Sequence, residues 1–293
     1  MQKRNQMKGL FGIILLSLLA VQAVQAIAQP PKSSLLWEIS GNGLKSPSYL
    51  FGTFHIMCKD EFSLSPVLQS SVTASKQFYG EIDMTDLSAQ MQMARKMMMT
   101  EKTLSSMLPA ADLAKISERF QQVTGMPLQM FNNFKPFMAL SLVVLNSIDC
   151  SEKVQPESAF VELAKKNHLT IRGLETIDDQ VNAINTQPID SQVNDLRKIL
   201  LNFDSAKTVI KQAKSVYHKR DIDSIYALMR SGGGLEFENE LVTKRNHNWV
   251  PLIEKAVADK PSFFAVGAGH LGGPNGVIAL LRSRGYQLTP VKY

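Results

Sequence analysis

Six short stretches of β-type sequence, grouped at the two ends of the chain with one in the middle, constrain the fold more than any other feature. "SLLWEIS", "SYLFGTFH" and "QFYGEIDM" come early, "LTIRGLE" stands alone, and "PSFFAVGAGH" and "YQLTPVKY" close the sequence. Each is short, apolar or alternating, and bounded by turn residues, which is the signature of a strand. "GNGLKSP", with Gly41, Asn42, Gly43 and Pro47, joins the first two as a β-hairpin. Helical segments fill the intervals. "SLSPVLQSSVTASK" has Ser63 or Ser65 as cap and Pro66 in its first turn, and "PESAFVELAKKNH" starts on Pro156 and Glu157. The order helix, strand, helix around "LTIRGLE" indicates a parallel unit. The expected fold is therefore α/β (mixed α+β), a central, mostly parallel sheet flanked by helices, with a helical insert over about residues 85–146.

The insert contains "LSAQMQMARKMMMT", whose methionines fall at helical spacing and fit irregular core gaps better than a soft-metal site. "DSQVNDLRKILLNFDSAKTVIKQAKSVYHKR" reads as one long amphipathic helix or a broken pair. "SGGG" at Ser231–Gly234 lacks the preceding strand and following Lys-Ser/Thr of a phosphate loop. A turn between two helices is the expectation there.

Residues 1–28 have the order of a secretory signal peptide. Lys3, Arg4 and Lys8 form a basic start, "LFGIILLSLLAVQAV" an apolar run, and Ala26 and Ala28 the small residues of a cleavage site. Removal after Ala28 would leave 29–293 as the mature domain, periplasmic or secreted, with no later segment apolar enough to span a membrane. Export makes the pair Cys58 and Cys150 a disulfide candidate, one that would brace the loop beside His55. The net charge of +6 owes part of its excess to that leader, and the remaining Lys and Arg are scattered among acids. No basic stripe with interleaved aromatics is present, which argues against nucleic acid as a partner.

In sheets of this kind ligands bind at the carboxyl ends of strands. Those ends carry His55, Glu81 with Asp83, Glu175 and His270, and the two histidines share the pattern Gly-x-x-His, at Gly52–His55 and Gly267–His270. Imidazole and carboxylate together suit Zn, Mn, Co or Fe. A metal or catalytic site and two structurally satisfied histidines both remain open on these residues alone. His168, His218 and His247 fall on helices or their ends, and Glu152, Glu157 and Glu162 read as helix-start and surface charges.

"LLWEISGNGLKSPSYLFGTFHI", "FYGEID", "GLET", "KRNHNW" and "FFAVGAGHLGGPNGVIALLRSRGYQLTPV" together resemble the TraB/GumN family, related to the Tiki proteins of animals. The resemblance implies a fold similar to erythromycin esterase and the ChaN proteins. It also implies metal-dependent peptidase activity on a peptide or protein substrate, with Mn or Co favoured and Zn possible. By motif His55, Glu81 and His270 carry over as metal ligands. Glu81, Glu175 and Arg245 carry over as catalytic residues, and Asn246 beside Arg245 matches a further recurrent family position. The alternative is a non-catalytic haem- or peptide-binding protein on the same fold.

Overall fold

The segment Ser262–Gly267 is buried along its whole length, and its side chains alternate. Phe263 and Ala265 enter one apolar cluster, Phe264 and Val266 another. A strand apolar on both faces belongs at the centre of a sheet covered on both sides. Burying each phenylalanine contributes about 1.5–3 kcal/mol.

The structure, a computed structural model, describes residues 32–83, 85 and 87–293, the side chains of 233–237 apart. The expected signal peptide lies outside the described residues. The strands are β1 Leu36–Gly41, β2 Ser48–Thr53, β3 Met57–Cys58, β4 Gln77–Gly80, β5 Lys153–Val154, β6 Thr170–Gly173, β7 Ser262–Gly267 and β8 Tyr286–Val291. The six anticipated from sequence form one sheet in the order β6-β4-β7-β2-β1-β8. The first four run parallel, and β1 pairs antiparallel with β2 and β8. The register Thr53↔Gly267 and Tyr79↔Phe264 brings the carboxyl ends of β2, β4 and β7 to one edge.

The helices among the described residues are α1 Pro66–Thr73, α2 Leu87–Lys96, α3 Leu104–Met107, α4 Ala110–Thr124, α5 Pro136–Asn146, α6 Pro156–Lys166, α7 Ile177–Asn185, α8 Ile189–Leu201, α9 Phe203–His218, α10 Ile222–Glu238, α11 Lys244–Asp259 and α12 Val277–Ser283. Leu68 and Val72 of α1, Phe160 and Ala164 of α6 and Tyr217 of α9 cover one sheet face. Trp249, Val250 and Ile253 of α11, with Val277, Ile278 and Leu281 of α12, cover the other. Ser65 caps α1, accepting from the Leu68 N–H, with Pro66 behind it.

The helical insert has its own core, in which Ile116, Phe120, Ala139 and Val143 meet Val193, Leu196 and Leu200. It therefore draws in α8, well past residue 146. The long amphipathic stretch is a broken pair, interrupted at Asn202 between α8 and α9. Met97 is buried as expected, whereas Met91 and Met98 are exposed.

The turn expected at Ser231–Gly234 is absent, and the backbone of α10 stays helical through it. The start of α10 is pressed onto the loop at Gly272, where a Cβ would lie 2.6 Å from the Ile222 carbonyl. The Tyr226 hydroxyl also donates to Glu238 Oε1 at 2.6 Å. A straight helix would hold residues twelve apart at about 18 Å, further than these two side chains reach, so α10 bends between Tyr226 and Glu238.

Candidate functional site

Glu81 follows β4 directly and is the centre of the polar cluster. Its Oε1 accepts the Gly267 N–H at 2.7 Å, and its Oε2 accepts from Arg245 Nη2 at 2.6 Å. The first contact exists because β4 and β7 are parallel neighbours ending together. Arg245, in the first turn of α11, also grips Glu175 by two N–H donors, Nε to Oε2 at 2.9 Å and Nη2 to Oε1 at 2.7 Å. Trp249, one turn further on, donates its indole N–H to Glu175 Oε2 at 3.0 Å.

His270 is buried, and its hydrogen bonds determine its tautomer. The Asn246 side-chain NH2 donates to the carbonyls of His270 and Asn275, at 3.2 and 2.8 Å. Asn246 Oδ1 is thereby left as an acceptor 2.7 Å from His270 Nδ1, which must carry the proton. His270 Nε2 then holds a lone pair, 3.2 Å from Arg245 Nη1 and 3.9 Å from Glu81 Oε1. His55 approaches the same carboxylate from β2. A Cβ placed on Gly267 would lie 3.2 Å from both His55 Nε2 and Glu81 Oε1. Glycine at that position lets the strand end approach both side chains closely, and a methyl there would press on each. Unlike His270, His55 is open to solvent over 68% of its side chain, and its Nδ1 lies 2.6 Å from Glu157 Oε1.

The charges follow from these contacts. Burial pushes His270 down to about 3, against the pull of Glu81, so it is neutral in the fold. Burial opposes the charge on Glu81, but the neighbouring imidazoles of His270 and His55, the Arg245 guanidinium and the Gly267 N–H outweigh it and hold the carboxyl at about 2. With His270 neutral, the permanent cation on Glu81 is Arg245. Desolvation likewise disfavours a charged His55, and the Glu157 hydrogen bond with the charges of Glu81 and Glu157 overrides it, raising His55 to about 9. Burial raises Glu175 despite its Arg245 partner.

Sequence reasoning reached His55, Glu81, Glu175, Arg245 and His270, and the fold gathers all five at one sheet edge. It read Glu157 as a surface charge, and missed Thr53, whose hydroxyl lies 2.5 Å from Glu157 Oε1. The signal for Glu157 was weak. It sits three residues after β5, whose pairing with β3 carries it to His55, and two-residue strands leave no periodic trace. Cys58 and Cys150 are bonded, with Cα atoms 5.8 Å apart, and brace this loop. Among the described residues, no group of three or more His, Cys, Asp or Glu stands at metal-holding distances. The Arg245 guanidinium and the Gly267 N–H take up the Glu81 oxygens instead. The donor set nonetheless has the chemistry a divalent ion needs. Two imidazoles have Nδ1 fixed by an oxygen partner and turn Nε2 toward the same buried carboxylate.

A three-layer α/β protein with two imidazoles, two buried carboxylates and a guanidinium at its strand ends belongs to the class that places polar chemistry at that edge. The chain is a member of the TraB/PrgY/gumN family, whose model matches residues 35–290. It is 23% identical to "Metalloprotease TIKI1" of Danio rerio over 89% of its own length and 63% of that protein's. It is 23% identical to "Metalloprotease TIKI2" of Xenopus tropicalis, over 89% and 60%, and 20% identical to "Metalloprotease TIKI homolog" of Nematostella vectensis, over 89% and 67%. The chain thus spans about three fifths of the length of the first two relatives. No solved structure matches it. No helix among the described residues is long and apolar enough to cross a membrane.

Proposed function

We propose that the chain is an exported, metal-dependent hydrolase acting on peptide or protein substrates. The observation that supports this most is that His55 Nε2 and Glu81 Oε1 both come to 3.2 Å from a Cβ position on Gly267, while His270 Nε2 stands 3.9 Å from the same Glu81 oxygen. His55, Glu81 and His270 would hold a divalent ion, Mn or Co by family likeness, with Zn also suited to the donors. Such an ion supplies a Lewis acid and a bound water acidic enough to act as a nucleophile near neutral pH.

The chain's own residues divide the remaining work. Glu81 stays anionic at working pH, held by Arg245. Both Glu175 oxygens are engaged by Arg245 and Trp249, which fits an anchor for the guanidinium better than a base. Arg245 keeps its charge with only 12% of its side chain exposed, where a guanidinium can stabilise an oxyanion. The open face of His55 leaves a substrate access to this edge. The disulfide and the leader-like residues 1–28 support an oxidising, extracytoplasmic location.

The test is binding of Mn2+, Co2+ and Zn2+ by calorimetry, with hydrolysis of a peptide library, in wild type and His270→Ala. Saturable binding and cleavage by wild type, both lost in the variant, are expected. Equal activity in both proteins would overturn the assignment. No cleavage by either, with tight binding of haem or peptide, would favour the non-catalytic alternative.

A further inference from the structure

We propose that Glu157 is the positioning residue for His55, and that the crosslinked loop around Cys58 and Cys150 exists to bring the two together. The inference rests on the reading of His55 as a metal ligand only for its effect on metal affinity. The geometric relation stands apart from it.

Glu157 and His55 are 102 residues apart in sequence, yet Glu157 Oε1 accepts the His55 Nδ1 proton at 2.6 Å. The same oxygen lies 2.5 Å from the Thr53 hydroxyl, which has only one proton and stands further, at 3.2 Å, from the Val266 carbonyl. Thr53 is buried and fixed in β2, so the oxygen that orients His55 is itself tied to the sheet.

Three independent ties hold the two segments in place. The Cys58–Cys150 bond, the β3–β5 ladder Met57↔Val154 and Cys58↔Lys153, and the Lys59 N–H to Glu152 carbonyl bond at 3.0 Å all fall within a few residues of the pair. His55 precedes the ladder by two residues on one side, and Glu157 follows it by three on the other. An exposed imidazole on a loop has no packing to fix its ring, and an exposed acid–base pair by itself contributes little. The number of ties spent on this contact therefore points to orientation of the ring.

The result matches His270 in logic and differs in partner. Asn246 Oδ1 fixes Nδ1 of one imidazole and Glu157 Oε1 fixes Nδ1 of the other, so both Nε2 atoms face the Glu81 side. Oxygen partners of this kind change metal affinity by about 10–100-fold when removed.

The experiment compares wild type, Glu157→Ala and Glu157→Gln, with circular dichroism confirming the fold of each. Proton NMR of the metal-free protein should show a hydrogen-bonded His55 Nδ1 proton in wild type. Glu157→Gln should retain it, because the amide oxygen can still accept, and Glu157→Ala should lose it. Mn2+ affinity by calorimetry should fall about 10–100-fold in Glu157→Ala and less in Glu157→Gln. Persistence of the Nδ1 proton in Glu157→Ala, or unchanged Mn2+ affinity in that variant, would overturn the proposal. If wild type binds no Mn2+, the hydrolase reading falls, and the NMR comparison alone decides the role of Glu157.

Discussion

Arg245 holds Glu175 through two N–H donors at 2.7 and 2.9 Å while the same guanidinium reaches Glu81 at 2.6 Å. Two carboxylates just beyond the ends of adjacent strands thus share one cation. Like charges this close could not both stay ionised without it.

Removal of that cation strands both acids. Arg245→Ala should lose about 3–5 kcal/mol of stability in urea unfolding, the cost of uncompensated buried charge. Arg245→Lys should recover only part, since an ammonium cannot reproduce the two-pronged grip. Adding Glu175→Gln to Arg245→Ala should be less than additive. Strict additivity in the double-mutant cycle would show that the pair is not coupled.

Glycine substitutions should separate folding from site chemistry. A Cβ at Gly52 would sit 2.6 Å from Leu271 Cδ1 and 3.0 Å from Ala268 Cα, inside packed structure. Gly52→Ala should cost about 1–3 kcal/mol. At Gly267 the new methyl would meet Glu81 and His55 at 3.2 Å. Gly267→Ala should change metal binding more than the melting temperature, and the reverse ranking would place those side chains elsewhere.

Reduction of Cys58–Cys150, which closes 92 residues, should lower stability by about 2–5 kcal/mol. Native protein should resist alkylation until a reductant is added. Hydrogen exchange should then rise first at Met57–Cys58 and Lys153–Val154. Ready labelling of unreduced protein would contradict the bond.

Tyr217 provides a pH readout at the base of the His55 loop. Its hydroxyl donates to the Gly52 carbonyl at 2.9 Å. Burial, then the nearby Tyr293 and Glu157, hold the phenol well above its ordinary value of 10. The native state therefore keeps a proton that the unfolded chain releases above pH 10. The contribution to stability is full below pH 10 and is lost as pH rises beyond it. Tyr217→Phe should remove about 1 kcal/mol with the hydrogen bond. It should also flatten the alkaline limb of the stability curve. Early ionisation of Tyr217 at 295 nm, before unfolding, would contradict its burial.

The sheet was legible because its six strands carry their own turn signals and alternation. His55, Glu81, Glu175 and His270 were legible by the same logic, as residues at strand ends, whereas Arg245, on α11, was reached only through the family resemblance. What escaped depended on tertiary contact. Glu157 is defined by a two-residue ladder to β3, and α8 joins the insert because Leu196 and Leu200 meet Phe120 and Val143 in one core. The run Ser231–Gly234 misled because local propensity favours a break, while the backbone of α10 stays helical through it.

The pairing of β2 with β7 also fixes an order of events. Thr53 and Gly267 are neighbours in the sheet but stand 214 positions apart along the chain. A chain emerging N-terminus first presents His55 and Glu81 long before it can supply Gly267 and His270, and non-local pairings of this kind form slowly. A fragment ending before β7 contains two of the three proposed ligands and no sheet neighbour to gather them. The cluster around Glu81 is complete only once β7 and His270 have been made, so a fragment released before them lacks it.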